Sequence, residues 1–148
     1  MPPKSIADIQ AAIPQILEQI PYLKLLVLFG SRARGDNLPS SDWDFALLFD
    51  EPLRQQYESG GGWHCYRSWT VLQQILGLGD GEIDWIDLKN ASDLVAHNIA
   101  RDGIAIYESE PGSFEKFRQT FLMTPQQLKA IRRDQKAEIA ATLRRWGL

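Results

Sequence analysis

The stretch LFGSRARGDNLPSSDWDFALLFD, Leu28 to Asp50, sets a Gly-Ser pair at the end of one apolar run and an Asp-Trp-Asp at the head of the next. Leu23 to Phe29 and Phe45 to Phe49 have the length and composition of strands, and the polar SRARGDNLPSS between them reads as a loop or short helix. Side chains alternate along a strand, so Asp42 and Asp44 share a face while Trp43 turns to the other. Two convergent carboxylates repel each other unless a cation lies between them. Hard oxygen ligands of this kind suit Mg2+, which binds through one or two carboxylates plus substrate phosphates. Gly30 permits close backbone approach, and Ser31 offers a hydroxyl and an amide at the head of a short helix, where free N–H groups favour anions. A phosphate-holding turn thus precedes a metal-holding pair by ten residues.

A third carboxylate is then expected from a neighbouring strand. EIDWIDL, Glu82 to Leu88, alternates strictly, with Glu82, Asp84 and Ile86 on one face and Ile83, Trp85 and Asp87 on the other. Asp84 lies mid-strand in an apolar segment, where a lone buried charge is costly without a metal or partner. Asp87, near the strand end and on the other face, reads as an exposed or capping residue.

Outward from these segments, Ser5 and Asp8 suggest a cap, and Ile6, Ile9, Ile13, Ile16, Leu17 and Ile20 recur at helical spacing. Pro14 is expected to kink or split that helix, and Pro21 to stop it. A turn is expected at Asp50-Glu51-Pro52, a hinge at Gly60-Gly61-Gly62, and a helix through Trp69, Leu72, Ile75 and Leu76 ending near Gly77. Leu94, Val95, Ile99 and Ala100 predict a helix closed by Gly103, followed by a short strand from Ile104 to Tyr107. Phe114, Phe117, Phe121 and Leu122 predict one more helix, and Leu128, Ile131, Ile139, Leu143 and Trp146 another. The expected class is α/β (α+β), a small mixed twisted sheet backed by helices, with a core over residues 1–110 and a C-terminal helical extension of the same domain over 111–148.

The 148 residues, 44% apolar and 24% charged, fit one globular domain. A net charge of -3 advertises neither a nucleic-acid nor a membrane surface, yet its distribution is uneven. Residues 1–125 carry ten basic and seventeen acidic side chains, a balance of -7, whereas 126–148 carry six and two, a balance of +4. That basic strip reads as a solvated helix face or as a contact for RNA, phosphate or an acidic partner. The lone Cys65 forms no internal disulfide, no leader pattern opens the chain, and the longest apolar run, Leu25 to Phe29, is far short of a membrane span. A reducing cytoplasm is the expected compartment. His64 and His97 are each solitary and lack the partners of a zinc site or a Cys-His pair. The five tryptophans read as core and interface anchors, with Trp43 open to either packing or base stacking.

The Gly-Ser pair, the ten-residue gap and the DxD, together with EIDWIDL and LVAHNIARDGIAIYES, resemble the nucleotidyltransferases of the DNA-polymerase-β superfamily, in particular its minimal nucleotidyltransferases. The likeness covers about residues 20 to 110 and supplies the expected strand order. It implies that Ser31 contacts a nucleotide triphosphate, that Gly30 shapes the turn, that Asp42 and Asp44 bind catalytic Mg2+, and that Asp84 completes an acidic triad. Arg32, Arg34 and Ser41 are further nucleotide-binding candidates, the two arginines reading equally well as surface charges beside an acidic site. ATP is the implied donor, attacked at its α-phosphorus by an acceptor hydroxyl.

The chain also resembles the minimal-nucleotidyltransferase antitoxins paired with HEPN-domain ribonuclease toxins. That resemblance implies AMP transfer to a toxin tyrosine within a heteromeric complex, with no membrane and no direct nucleic-acid partner. The alternatives are an aminoglycoside-type small-molecule nucleotidyltransferase, against which the lack of a larger C-terminal substrate domain speaks, and a non-catalytic toxin-binding antitoxin.

Overall fold

The computed structural model describes residue 3 and residues 5–57 and 67–148; the expected glycine hinge, His64 and Cys65 lie outside them. In chain order the elements are α1 (Ile6–Gln19), β1 (Leu23–Phe29), α2 (Ser31–Arg34), β2 (Trp43–Phe49), α3 (Glu51–Tyr57), α4 (Arg67–Leu76), β3 (Ile83–Asp87), α5 (Asp93–Asp102), β4 (Ile104–Glu108), α6 (Ser113–Phe121) and α7 (Pro125–Arg145), with a 3-10 turn at Leu88–Asn90. The strands form one sheet in the order β3-β2-β1-β4. Strand β1 runs antiparallel to both β2 and β4, while β2 and β3 are parallel, giving the mixed sheet expected. A parallel pair needs a crossover connection. Helices α3 and α4 supply it over the described residues.

Both faces of the sheet are covered, which explains why β1 and β2 read as near-continuous apolar runs. Leu26, Leu28, Phe45 and Leu47 face α1 and α4, alongside Ile9, Ile16 and Leu72. Leu25, Val27 and Ala46 face the other way, toward Ile99 of α5 and Phe114 of α6. Wholly buried Leu and Ile side chains of this kind each contribute about 1.5–3 kcal/mol.

Two local expectations are corrected. Pro14 does not split α1, which runs unbroken through it. Both Pro14 and Gln10, whose carbonyl loses its helical partner, are exposed residues, while buried Ile9 and Ile16 anchor the helix on either side. The Ser5–Asp8 signal proves to be a full capping box. The turn expected at Asp50-Glu51-Pro52 is instead the first turn of α3. Asp50 Oδ1 accepts the Leu53 N–H at 3.1 Å, so Asp50 acts as a cap, and Pro52 stands in the first turn, where a missing N–H costs nothing. Arg54 of α3 then lies 3.6 Å from Asp87 and 4.4 Å over the Phe49 ring, tying the crossover to the far end of β3.

Gly103 does close α5, at an ordinary φ of -65° rather than a left-handed one. Its smallness serves close packing: an added Cβ would strike the Ile99 carbonyl and lie 2.7 Å from Val27 Cγ1 and 3.2 Å from Phe114 Cζ. Gly103→Ala is therefore expected to lose about 1–3 kcal/mol through overpacking. A lower urea midpoint with an unchanged m-value checks this; an unaltered midpoint refutes it.

His97 is a packing residue. It is buried in α5, and its Nδ1 accepts the Met123 N–H at 2.9 Å, fixing the α6–α7 turn. Helix α7, 21 residues long and capped by a Thr124–Gln127 box, has no buried residue. Ile139, Leu143 and Trp146 are exposed along it and border a shallow concavity. Among the described residues no helix is long and apolar enough to cross a membrane.

Candidate active site

Strand β1 delivers the chain to Gly30 at φ 75°, ψ -159°. That conformation is in practice open only to glycine. Crowding explains it further: a Cβ at Gly30 would collide with the Asp44 carboxylate and lie 3.1 Å from Asp44 Cγ. The glycine turn and the acidic strand are thus in direct contact. Ser31 opens α2, in which the Ala33 and Arg34 N–H groups both donate to the Gly30 carbonyl at 3.1 Å. The Ser31 and Arg32 amides precede that first hydrogen-bonded turn.

Asp44 is flanked by Phe29 of β1 and by Asp84 of β3. Asp44 and Asp84 are therefore in register on adjacent parallel strands, which run roughly 4.8 Å apart with side chains on a common face. Asp42, just ahead of β2, lies near enough for its charge to act on Asp44. The electrostatics bear out the crowding: burial first, then the charges of Asp84 and Asp42, push the Asp44 carboxyl above the ordinary 3.8, while the Arg34 guanidinium pulls it back.

Asp84 departs from expectation in one respect. It is exposed, not buried, because β3 is an edge strand and the acidic face sits at the open end of the sheet beyond the helices. Its Oδ1 accepts the Trp85 N–H at 2.9 Å. Asp87, on the opposite face, caps the 3-10 turn through the Lys89 N–H at 3.0 Å, as its position suggested, and is part-buried against Arg54.

Among the described residues no three His, Cys, Asp or Glu form a ready-made cage for a metal ion. The three carboxylates nevertheless fit Mg2+. They are hard oxygen donors, and the Asp44 carboxyl meets the charges of both Asp84 and Asp42, only partly offset by Arg34. An open carboxylate set completed by water and phosphate oxygens is the usual form of Mg2+ binding.

The remaining candidates divide. Arg34 is half exposed, pairs with Asp36 at 3.1 Å and lends its field to Asp44, so it borders the acidic face. Arg32 turns away, donating to the Ser41 and Pro39 carbonyls and lying over the Trp43 ring. The Ser41 hydroxyl accepts the Leu38 N–H at 2.9 Å and closes the loop before Asp42. Trp43 is buried and stacked on Phe45 at 6.5 Å, a core residue and no stacking platform.

One neighbour escaped the sequence reading. Asp102, at the end of α5, lies within the field of Arg34, and its carboxyl is held low first by the hydrogen bond from Arg101, at 2.7 Å. The α5–β4 junction therefore borders the site. Periodicity marks where α5 ends but not which sheet end it meets.

The family description "Polymerase beta, Nucleotidyltransferase" matches residues 11–112, a span that contains every one of these residues. The chain belongs to the polymerase-β nucleotidyltransferase family. It is 38% identical over 144 residues, 97% of this chain and 96% of the relative, to the protein adenylyltransferase MntA of Aphanizomenon flos-aquae (strain 2012/KM1/D3). In fold it is similar to a chain of a toxin–antitoxin crystal structure with AMP-PNP, at 24% identity and a TM-score of 0.58, covering 88% of this chain and 98% of that one. It is also similar to a chain from a tri-AMPylated Shewanella oneidensis HEPN toxin in complex with an MNT antitoxin, at 22% identity and a TM-score of 0.56, covering 88% and 95%.

Proposed function

We propose that this protein is a Mg2+-dependent protein adenylyltransferase of the cytoplasm that acts as an antitoxin, moving AMP from ATP onto a tyrosine of a HEPN-domain ribonuclease toxin. The observation that carries the reading is the meeting of Gly30 with Asp44, and of Asp44 with Asp84, at one open sheet end. The near full-length likeness to a protein adenylyltransferase supports the choice of acceptor class. Residues 1–110 form the nucleotidyltransferase core in this reading, and 111–148 extend it.

The chemistry is attack of the acceptor oxygen on the α-phosphorus, with rupture of the bond to pyrophosphate and formation of a phosphodiester to AMP. Bound at Asp42, Asp44 and Asp84, Mg2+ would supply activation of the attacking oxygen and neutralisation of the leaving group. The Ser31 amide and hydroxyl, in the Gly30 turn, hold the triphosphate against the acidic face. Arg34, at the rim, offsets phosphate charge. Asp84, open to solvent, is placed to accept the proton of the incoming hydroxyl and pass it to water. AMP on the toxin adds charge and bulk, which block an RNA-binding groove.

The test incubates the purified protein with α-labelled ATP, Mg2+ and the protein encoded by the neighbouring gene as candidate toxin, next to an Asp42→Ala, Asp44→Ala double variant. The expected result is a toxin mass increase in steps of AMP, absent from the variant and from EDTA-treated samples. Tight binding without transfer, unaffected by the double substitution, would replace the enzyme with a binding module. Transfer to an aminoglycoside but not to protein would replace the acceptor class.

A further inference from the structure

Arg32 follows Ser31 directly, yet its guanidinium is committed elsewhere. Its Nε and Nη2 both donate to the Ser41 carbonyl, at 3.0 and 2.8 Å, and Nη2 also reaches the Pro39 carbonyl at 3.2 Å. The guanidinium carbon lies 4.3 Å from the centroid of the Trp43 ring. Trp43 points to the sheet face opposite Asp42 and Asp44, so the charged end of Arg32 sits behind the acidic loop. There Arg32, Trp43, Pro39 and Ser41, with Leu78 and Glu82, wall a cavity of about 580 Å³ whose lining includes neither Asp42 nor Asp44.

We propose that Arg32 is a positioning residue for the acidic pair: its fork clamps residues 39–41 onto the Trp43 ring and thereby fixes the backbone from which Asp42 projects. Asp42 is itself exposed and sits between two anchored points. Ahead of it the Ser41 carbonyl is held by Arg32, and after it the Trp43 N–H donates to the Glu82 carbonyl at 2.9 Å, joining β2 to β3. With the Arg32 bonds removed, the upstream anchor reduces to the Leu38–Ser41 turn, in which each residue's N–H finds an oxygen of the other. That turn fixes the loop upon itself but not upon the sheet.

The chemistry favours arginine specifically. A planar fork reaches two carbonyls while its face lies on an aromatic ring, whereas an ammonium is a compact point charge that cannot do both. Arg32→Lys therefore keeps the charge and removes the clamp.

The inference rests on the proposed site, but its first test does not. In the ligand-free protein, Arg32→Lys is expected to raise amide exchange at Trp43, the sheet bond next to the freed loop, by about tenfold, the scale of one lost charge-assisted hydrogen bond, with Leu26 and Leu28 amides unchanged as an internal reference. In the wild type, the Arg32 Nε–H resonance is expected to be slow to exchange and unmoved by Mg2+-ATP. In the transfer assay, Arg32→Lys is expected to raise the Mg2+ concentration for half-maximal rate by about tenfold while leaving the KM for ATP at saturating Mg2+ within about twofold. Unchanged exchange at Trp43 would overturn the clamp. So would a raised KM for ATP with unaltered Mg2+ dependence, or a shift of the Nε–H resonance on adding Mg2+-ATP, each of which marks a phosphate ligand. Full transfer by an Asp42→Asn variant would remove the proposed site instead, and the exchange result would stand apart from it.

Discussion

Replacing Asp44 with Asn is expected to stabilise the ligand-free protein and to lower nucleotidyl transfer by at least about 10²–10³-fold, the usual cost of deleting one preorganised electrostatic group. The two effects share a cause. Burial and the charges of Asp84 and Asp42 raise the Asp44 carboxyl above its ordinary value, so the folded chain holds that proton more tightly than the unfolded one. Below the ordinary carboxylate value of 3.8 the group is neutral in both states, and the variant gains nothing. As pH rises through the raised folded value the wild type becomes charged at a cost that Asn never meets, and the stability gap opens. Because Asp44 is half-buried, solvent screening keeps that gap modest. Thermal melts of both proteins from acid to neutral pH check the trend, and adding Mg2+ is expected to narrow the gap at neutral pH. A wild type more stable than the variant at neutral pH without Mg2+ would contradict the account. A site that costs its fold stability is the general pattern where function demands converging charge.

Gly30→Ala is expected to damage both fold and activity. The backbone at φ 75°, ψ -159° costs a non-glycine residue about 1–3 kcal/mol. The added methyl also collides with the Asp44 carboxylate, so that side chain must leave its place. Displacement of a reacting group by about 1 Å costs on the order of 10²-fold in rate. Gly35→Ala separates the two causes. Gly35 lies at φ 84°, but a Cβ there meets nothing within 4 Å, so its substitution carries strain without collision. The expected pattern is a lower Tm in both variants and a lost transfer rate in Gly30→Ala alone. Equal activities in the two would show that contact between glycine and carboxylate does not matter.

The elements around the site were legible because their physics is local. Apolar runs flanking a Gly- and Pro-containing segment predict β1 and β2, and strict alternation predicts the faces of β3, whereas the placing of Asp84 beside Asp42 and Asp44 comes from the strand order that the resemblance implies. What sequence does not carry is each residue's surroundings. Asp84 reads as buried in an apolar strand, yet it is exposed because β3 lies at the sheet edge, a fact of topology. Pro52 reads as a turn, although the Asp50 cap two residues earlier makes it a helix start. Arg32 and Arg34 look equivalent in SRAR; only the fold sends one to carbonyls nine residues on and leaves the other at the carboxylate rim.

Helix α7 is about 30 Å long at 1.5 Å per residue, and no residue of it is buried. The balance of +4 in residues 126–148 is thereby set out along a rod, while the described residues of the preceding chain carry nine basic and sixteen acidic side chains, a balance of -7. In the language of fields such a division lends the charge distribution a dipole, which a modest net charge of -3 conceals. Such a molecule experiences torque as well as attraction when it nears a charged surface, so its encounters begin already oriented. The same rod sheds that guidance as salt shortens the reach of the field to about 8 Å at physiological ionic strength, well under its own length.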